Sequence, residues 1–155
     1  MVEALFDSPL GPLTLVTNGT AITALEWRHP TPALAVESDA LTDTAVKQLT
    51  AYFNGHDIAF ELPLQPAGSP LVSKVCAAMQ AIPYGQTTSY GAIAAKVGSV
   101  PRAVGGACGR NPIPIIIPCH RVLGSTGRLT GFSGLGGVAT KKWLLALERG
   151  EPTLI

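Results

Sequence analysis

The run Ile115-Ile116-Ile117-Pro118-Cys119-His120-Arg121 decides how this chain is read. Three consecutive β-branched apolar residues belong in a buried, extended segment, and Pro118 closes it with a fixed φ and no backbone donor. Such a segment delivers Cys119, with His120 and Arg121 following it in the chain. Side chains of adjacent residues in extended backbone point to opposite faces. A direct Cys119–His120 contact therefore needs a tight turn, which Pro118 can impose, or a bridging water. Cysteine attacks as thiolate, and an unperturbed thiol with a pKa of about 8.5 is mostly protonated at neutral pH. His120 beside it, and Glu148 far along the chain, are its candidate activators.

Outward from this run, Pro112 to Pro118 reads as a buried strand or extended segment. Asn111 precedes a proline and so belongs in a turn, where its amide serves as a helix C-cap or fixes the backbone of the Cys119 loop. Thr88 or Ser89 caps a helix that ends at Gly98. Ser99 and Pro101 start a second, from Arg102 to Gly109. Two short helices joined by a Gly/Ser/Pro turn make the helix-turn-helix pattern. Glycines 105 and 106 weaken the second helix by about 1 kcal/mol each against alanine, which implies close approach by another molecule. Further upstream, Ser69-Pro70 opens a helix through Val72, Val75, Cys76, Met79 and Ile82, stopped by Pro83-Tyr84-Gly85. Thr140 to Arg149 forms the last helix.

The N-terminal part has a different pattern. Short apolar runs at Ala4–Phe6, Leu13–Val16 and Ala21–Trp27, punctuated by Asp7-Ser8-Pro9-Leu10-Gly11-Pro12, predict a small antiparallel sheet. His29 to Ala40 reads as a loop. Asp43 or Thr42 caps a helix whose apolar face is Val46, Leu49, Tyr52 and Phe53. Phe60 to Leu64 is a candidate further strand, and Gln65 to Gly68 a linker. The expected architecture is α/β: a sheet-plus-helix support lobe over residues 1–66 and a mostly helical lobe over 67–155.

At 155 residues, with 46% hydrophobic and 14% charged, the chain suits one good core or two small lobes sharing an interface. No apolar run reaches membrane-spanning length, and no basic segment precedes an apolar stretch at the N-terminus. Three cysteines without metal-site or Cys-x-x-Cys spacing point to free thiols in a reducing compartment, so a cytoplasmic location is expected. His29 and His56 lack partners at ligand spacing, so no metal is expected, and no organic cofactor is expected either. The formal charge of +1 hides an asymmetry. Residues 1–83 carry three Lys/Arg against eight acids, whereas residues 84–150 carry eight against Glu148 alone. The basic half coincides with the motif half and is suited to a polyanion.

Residues 82–149 closely resemble the O6-alkylguanine-DNA alkyltransferases. The resemblance is carried by Arg102-Ala103-Val104-Gly105-Gly106-Ala107, Asn111-Pro112, Pro118-Cys119-His120-Arg121, Gly131-Phe132-Ser133-Gly134 and Trp143-Leu144-Leu145-Ala146-Leu147-Glu148. It implies single, irreversible transfer of an alkyl group from O6-alkylguanine in double-stranded DNA to Cys119. It further implies that His120 acts as base through a water, that Glu148 holds and charges the imidazole, and that Asn111 fixes the Cys119 loop.

The lesion lies inside the base stack, so the nucleotide must be extruded. The resemblance assigns Arg102 to the vacated space and Tyr90 to nucleotide rotation and the guanine edge. Ala103, Gly105 and Gly106 give a small, smooth surface suited to the minor groove. Arg110 and Arg121 are expected to add DNA contacts. By the same resemblance Tyr90, Val122, Phe132 and Ser133 line the pocket: carbonyls near Cys119 and Val122 accept from the guanine amino group and the Ser133 N–H donates to O6. Two features depart from the family: Phe132 stands where tyrosine is common, and 135–139 is about two residues longer than usual. Cys76, where tryptophan is common, and Cys108 read as structural. A monomer without membrane contact is expected. Two rival readings are a non-catalytic binder of alkylated DNA, against which Cys119 speaks, and a cysteine hydrolase without a DNA role.

Overall fold

A computed structural model describes residues 1–36, 39–125, 127–128 and 137–153. The chain opens with an antiparallel sheet of order β1-β2-β3, formed by β1 (Val2–Ser8), β2 (Gly11–Thr17) and β3 (Ile22–Glu26). Ser8 pairs with Gly11, leaving Pro9-Leu10 as a two-residue turn. Ser8 Oγ accepts from the Leu10 amide at 3.0 Å and donates to the Gly11 carbonyl at 2.7 Å, and Gly11 takes a φ of 105° that disfavours a side chain. Leu13, Leu15, Ile22 and Leu25 are buried on the inner face.

Helix α1 (Ala40–Phe53) lies against this sheet and buries Ala45, Leu49, Tyr52 and Phe53. Its cap is Asp39 rather than Thr42 or Asp43. Asp39 has extended backbone and accepts from the Thr42 amide at 2.8 Å, so both expected caps lie inside the first turn. Part of the expected loop, Pro32–Leu34, is a 3₁₀ turn. The segment 60–64 is no strand: it contributes a single bridge, Leu64 to Ile22, with the Ile22 amide bonded to the Pro63 carbonyl at 2.8 Å. Pro63 has no N–H with which to extend a ladder.

The C-terminal half is helical. Helices α2 (Pro70–Gln80), α3 (Tyr90–Val97), α4 (Pro101–Gly109) and α5 (Val138–Glu148) surround the segment that carries the thiol. Ser69 caps α2 and Ser89 caps α3, each accepting from an amide of the first turn, and Gly98 ends α3 in the left-handed region at φ 70°. The run 112–118 is not a strand. Ile115 sits at φ 73°, the Ile116 amide bonds to Pro114 and the Ile117 amide to Ile113, so the chain doubles back on itself. Prolines 112, 114 and 118 remove the donors a ladder would need. Burial of Ile113, Ile115 and Ile117 holds a conformation that a β-branched residue otherwise avoids.

Two short strands, β4 (Thr88–Ser89) and β5 (Val122–Leu123), pair in parallel and clamp the entrance of α3 to the exit of the thiol turn. One continuous core joins the halves: Phe53 of α1 meets Trp143 of α5 with ring centroids 6.0 Å apart, and Tyr52 meets Tyr84 at 6.0 Å.

Candidate active site and nucleic-acid interface

Cys119–Arg121 form one 3₁₀ turn, closed by the Arg121 amide on the Pro118 carbonyl at 3.0 Å. The turn sends His120 and Arg121 into the interior towards Glu148 and does not bring the imidazole onto the thiol by a direct hydrogen bond among the described residues. Glu148 Oε2 accepts from His120 Nε2 at 2.5 Å, from the Tyr52 hydroxyl at 2.6 Å and from Arg121 Nη2 at 3.1 Å. Oε1 accepts from Arg121 Nε at 2.8 Å and from the Gly85 amide at 3.1 Å. Gly85 has a φ of 76°, and a β-carbon there would meet the Glu148 carbonyl at 3.4 Å, so this approach favours glycine.

The charges follow from this packing. Burial pushes the Glu148 carboxyl upward, but the hydrogen bond from His120 and those from Arg121 and Tyr52 overcome it and hold the group at about 2. His120 is fully buried, which lowers its basicity despite the carboxylate beside it. Burial also pushes the Cys119 thiol up, offset in part by a hydrogen bond from Asn111 and the nearby charge of Lys141. Arg121 is a second ionic partner of Glu148 in the same cluster. Glu148 holds His120 through this bond, and its hydrogen bond and charge raise the basicity that burial lowers. With Nε2 donating to the carboxylate, Nδ1 is left as the acceptor, and it has no hydrogen-bond partner among the described residues.

Asn111 sits at the exit of α4 and bridges the loop as its position suggested. Its Nδ2 donates to the Ile117 carbonyl at 2.9 Å, and its Oδ1 accepts from the Ile113 amide at 3.0 Å. Cys76 approaches the same oxygen at 4.0 Å. Lys141 is a site residue that sequence reasoning missed. It is completely buried, its Nζ donates to the Val122 carbonyl at 2.6 Å, and it lies 3.4 Å from the Tyr90 hydroxyl. A signal was available: positions 141, 144, 145 and 148 share one helical face with spacing i, i+3, i+4, i+7, whereas Lys142 faces out. Tyr52 was read as core only, and nothing in its apolar stripe marked the phenol.

The other expected positions lie on the α3–α4 surface. Arg102, Gly106 and Arg110 are exposed, while Ala103, Gly105 and Tyr90 are half-buried. A β-carbon on Gly91, next to Tyr90, would meet Pro101 Cγ at 3.9 Å, so the starts of α3 and α4 adjoin. Unlike α1, α2 and α3, α4 has no side-chain cap, because Val100 stands at the capping position. Arg121 is corrected. Its guanidinium is buried on Glu148 and on the Ile82 carbonyl at 2.7 Å, and so is not presented to a phosphate. With Lys141 also internal, Lys96, Arg102, Arg110, Arg128, Lys142 and Arg149 are the exposed cations of this half. Phe132 and Ser133, with residues 135–136 of the longer segment, lie outside the described residues.

Family models match the whole of this arrangement. Residues 1–66 match the 6-O-methylguanine DNA methyltransferase, ribonuclease-like domain, and residues 70–150 match the DNA binding domain of the same family. Named relatives include the methylated-DNA–protein-cysteine methyltransferase of Mycobacterium tuberculosis, 43% identical over 94% of this chain and 90% of its own. The constitutive enzyme of that name from Bacillus subtilis is 39% identical, over 92% of both chains. The crystal structure of Mycobacterium tuberculosis OGT in complex with DNA superposes with a TM-score of 0.86 at 42% identity, covering 98% of this chain and 96% of that one. With both domains matched in order and nearly end to end, the chain belongs to the 6-O-methylguanine DNA methyltransferase family.

Proposed function

We propose that this protein repairs DNA by moving the alkyl group of O6-alkylguanine onto Cys119, once per molecule, with residues 67–155 performing the transfer and residues 1–66 supporting them. The observation that carries the reading is the Cys119 turn itself. A buried thiol is followed by an imidazole whose Nε2 is committed to Glu148 and whose Nδ1 remains free to accept a proton. The sulfur attacks the alkyl carbon, the carbon–O6 bond breaks, and its electron pair stays with guanine. The thiol proton passes to His120 Nδ1, directly or through a water, and an equivalent proton is returned from the imidazolium through solvent to guanine as it leaves. The product is a thioether, which has no ready reverse step, so the reaction is stoichiometric and uses no cofactor.

The approach to DNA is read from α4. Among the described residues, a β-carbon on Gly105 or Gly109 would meet nothing within 4 Å outside its own helix backbone, and one on Gly106 would meet only the end of the Arg110 side chain, at 3.4 Å. Internal packing therefore does not require these glycines, although each costs about 1 kcal/mol in a helix. A duplex pressed against the helix backbone through its minor groove accounts for them. Arg102 takes the place of the extruded nucleotide, Tyr90 assists rotation, and Ala103, Gly105, Gly106 and Arg110 meet the backbone and groove. Tyr90, Val122, Phe132 and Ser133 line the pocket. The Val122 carbonyl keeps one lone pair for the guanine amino group beside its bond to Lys141. The protein acts as a cytoplasmic monomer.

The test is intact mass and peptide mapping after incubation with duplex containing O6-methylguanine. One methyl per molecule on Cys119 is expected, and Cys119→Ser should gain none while still binding DNA. Alkyl found on Cys76 or Cys108, or repeated turnover by one molecule, would refute the reading.

A further inference from the structure

We propose that Tyr52 is a positioning residue for alkyl transfer, supplied by the N-terminal half of the chain to hold Glu148 and set the tautomer and basicity of His120. The inference rests on the reading of Cys119 as nucleophile and His120 as its base. Tyr52 is fully buried on α1, and its hydroxyl donates to Glu148 Oε2 at 2.6 Å while standing 3.4 Å from His120 Nε2. That oxygen is shared between a phenol from one half of the molecule and an imidazole from the other. The ring of Tyr52 packs on Phe53 at 5.3 Å, Phe60 at 5.6 Å and Tyr84 at 6.0 Å, an environment that a phenylalanine would fill equally well. The hydroxyl is the part that packing does not explain, because a buried O–H carries a desolvation penalty unless its hydrogen bond offsets it.

Two effects follow from that bond. By drawing charge from Oε2, the phenol makes the carboxylate a weaker acceptor towards His120, and the imidazole stays neutral. By fixing Oε2, it also keeps Nε2 as the protonated nitrogen and Nδ1 as the acceptor that faces away from Glu148. Burial, followed by the charge of Glu148, pushes the Tyr52 hydroxyl well above its ordinary pKa, so it remains a donor at every physiological pH. The groups that bear on His120 are Tyr52 from α1, Glu148 and Lys141 from α5, and Cys119 and Arg121 from its own turn, with Tyr84 beside Glu148.

The experiment uses the full chain. Nitrogen-15 NMR reads the tautomer and titration of His120, and single-turnover transfer from free O6-benzylguanine is followed against pH. For Tyr52→Phe the His120 midpoint is expected to rise by roughly 0.5–1 pH unit, because the carboxylate regains charge. The plateau rate should fall several-fold as the ring loses its fixed partner. Phe53→Leu, which disturbs packing next door but keeps the phenol, should lower Tm and leave the His120 titration unchanged. If the phenylalanine variant does not fold, uniform 3-fluorotyrosine labelling strengthens the donor and should move the His120 midpoint down. An unchanged midpoint in Tyr52→Phe, an equal shift in Phe53→Leu, or no downward movement on fluorination overturns the proposal. Failure of the wild-type protein to place benzyl on Cys119 would instead overturn the alkyl-transfer reading, since the NMR readout needs no substrate.

Discussion

The buried relay around Glu148 and the exposed face of α4 are built by opposite means. Around Glu148 every available acceptor position is filled: His120, Tyr52, Arg121 and the Gly85 amide converge on one carboxylate, five residues from four separate places in the chain. Along α4 side chains have been removed, with glycine at 105, 106 and 109 and no side chain capping the helix. On the proposed function, the contrast separates two tasks. A reacting thiol needs its base held in one tautomer, which saturation provides. A duplex needs room at the backbone, which deletion provides at a cost in helix stability.

The contrast is broken most severely at Arg102. In Arg102→Ala, single-turnover repair of duplex is expected to slow by about a hundredfold, because extrusion costs a few kcal/mol that the side chain no longer offsets. Reaction with free O6-benzylguanine should be nearly unchanged, since a free base needs no extrusion. Equal losses on both substrates would assign Arg102 to the chemistry or the fold.

Glu148→Gln attacks the other side. Transfer from the free base is expected to slow by about tenfold or more, because His120 loses the partner that fixes its tautomer. Arg121 is left buried without its counter-ion, a loss of roughly 3–5 kcal/mol in stability. The acid dependence of stability carries the same signature. Glu148 is held at about 2 in the folded protein against an ordinary 4.5, so the unfolded chain binds more protons as pH falls. That stability, roughly 3 kcal/mol, is present above pH 4.5 and lost on descent towards 2. The lowered basicity of buried His120 adds a loss that begins below its ordinary 6.5. Urea denaturation at pH 5, 4 and 3 should show a falling midpoint in the wild type and a flatter dependence in Glu148→Gln. A relay variant with wild-type rate and pH profile would show that Glu148 serves the fold alone.

The smallest effect should come from Gly105→Ala and Gly106→Ala. Each is expected to stabilise the protein by up to about 1 kcal/mol while weakening duplex binding several-fold and leaving the free-base reaction intact. Loss of stability, or unchanged DNA affinity, would remove the argument that an external partner dictates these glycines.

Much of this organisation was legible in the sequence because it is local. The Ser69-Pro70 start and the Gly98 stop are signals within a single turn of chain and lie where they were expected, and of the two expected caps, Thr88 and Ser89, the structure uses Ser89. The failures share a different cause. The run 112–118 reads as a strand by residue type, yet its prolines deny it a ladder and tertiary burial folds it back through Ile115. Segment 60–64 has strand composition but only one bridge, because pairing depends on what lies alongside. Arg121 looked like one more surface cation, since charge counted along a chain does not say which charges face inward.

The sequence by itself determined the halves of the molecule, the helix-turn-helix and the thiol–imidazole pair, because caps, turns, periodicity and charge bias act over a few residues. Tertiary structure alone decided that Tyr52 from the first half and Lys141 from the last helix enter the site, and that Arg121 neutralises Glu148 instead of meeting DNA. The physical reason is that desolvation and hydrogen-bond saturation belong to a place in space. Residues 52, 85, 121 and 148 acquire a common role only when the packed core brings their polar atoms within reach of one carboxylate.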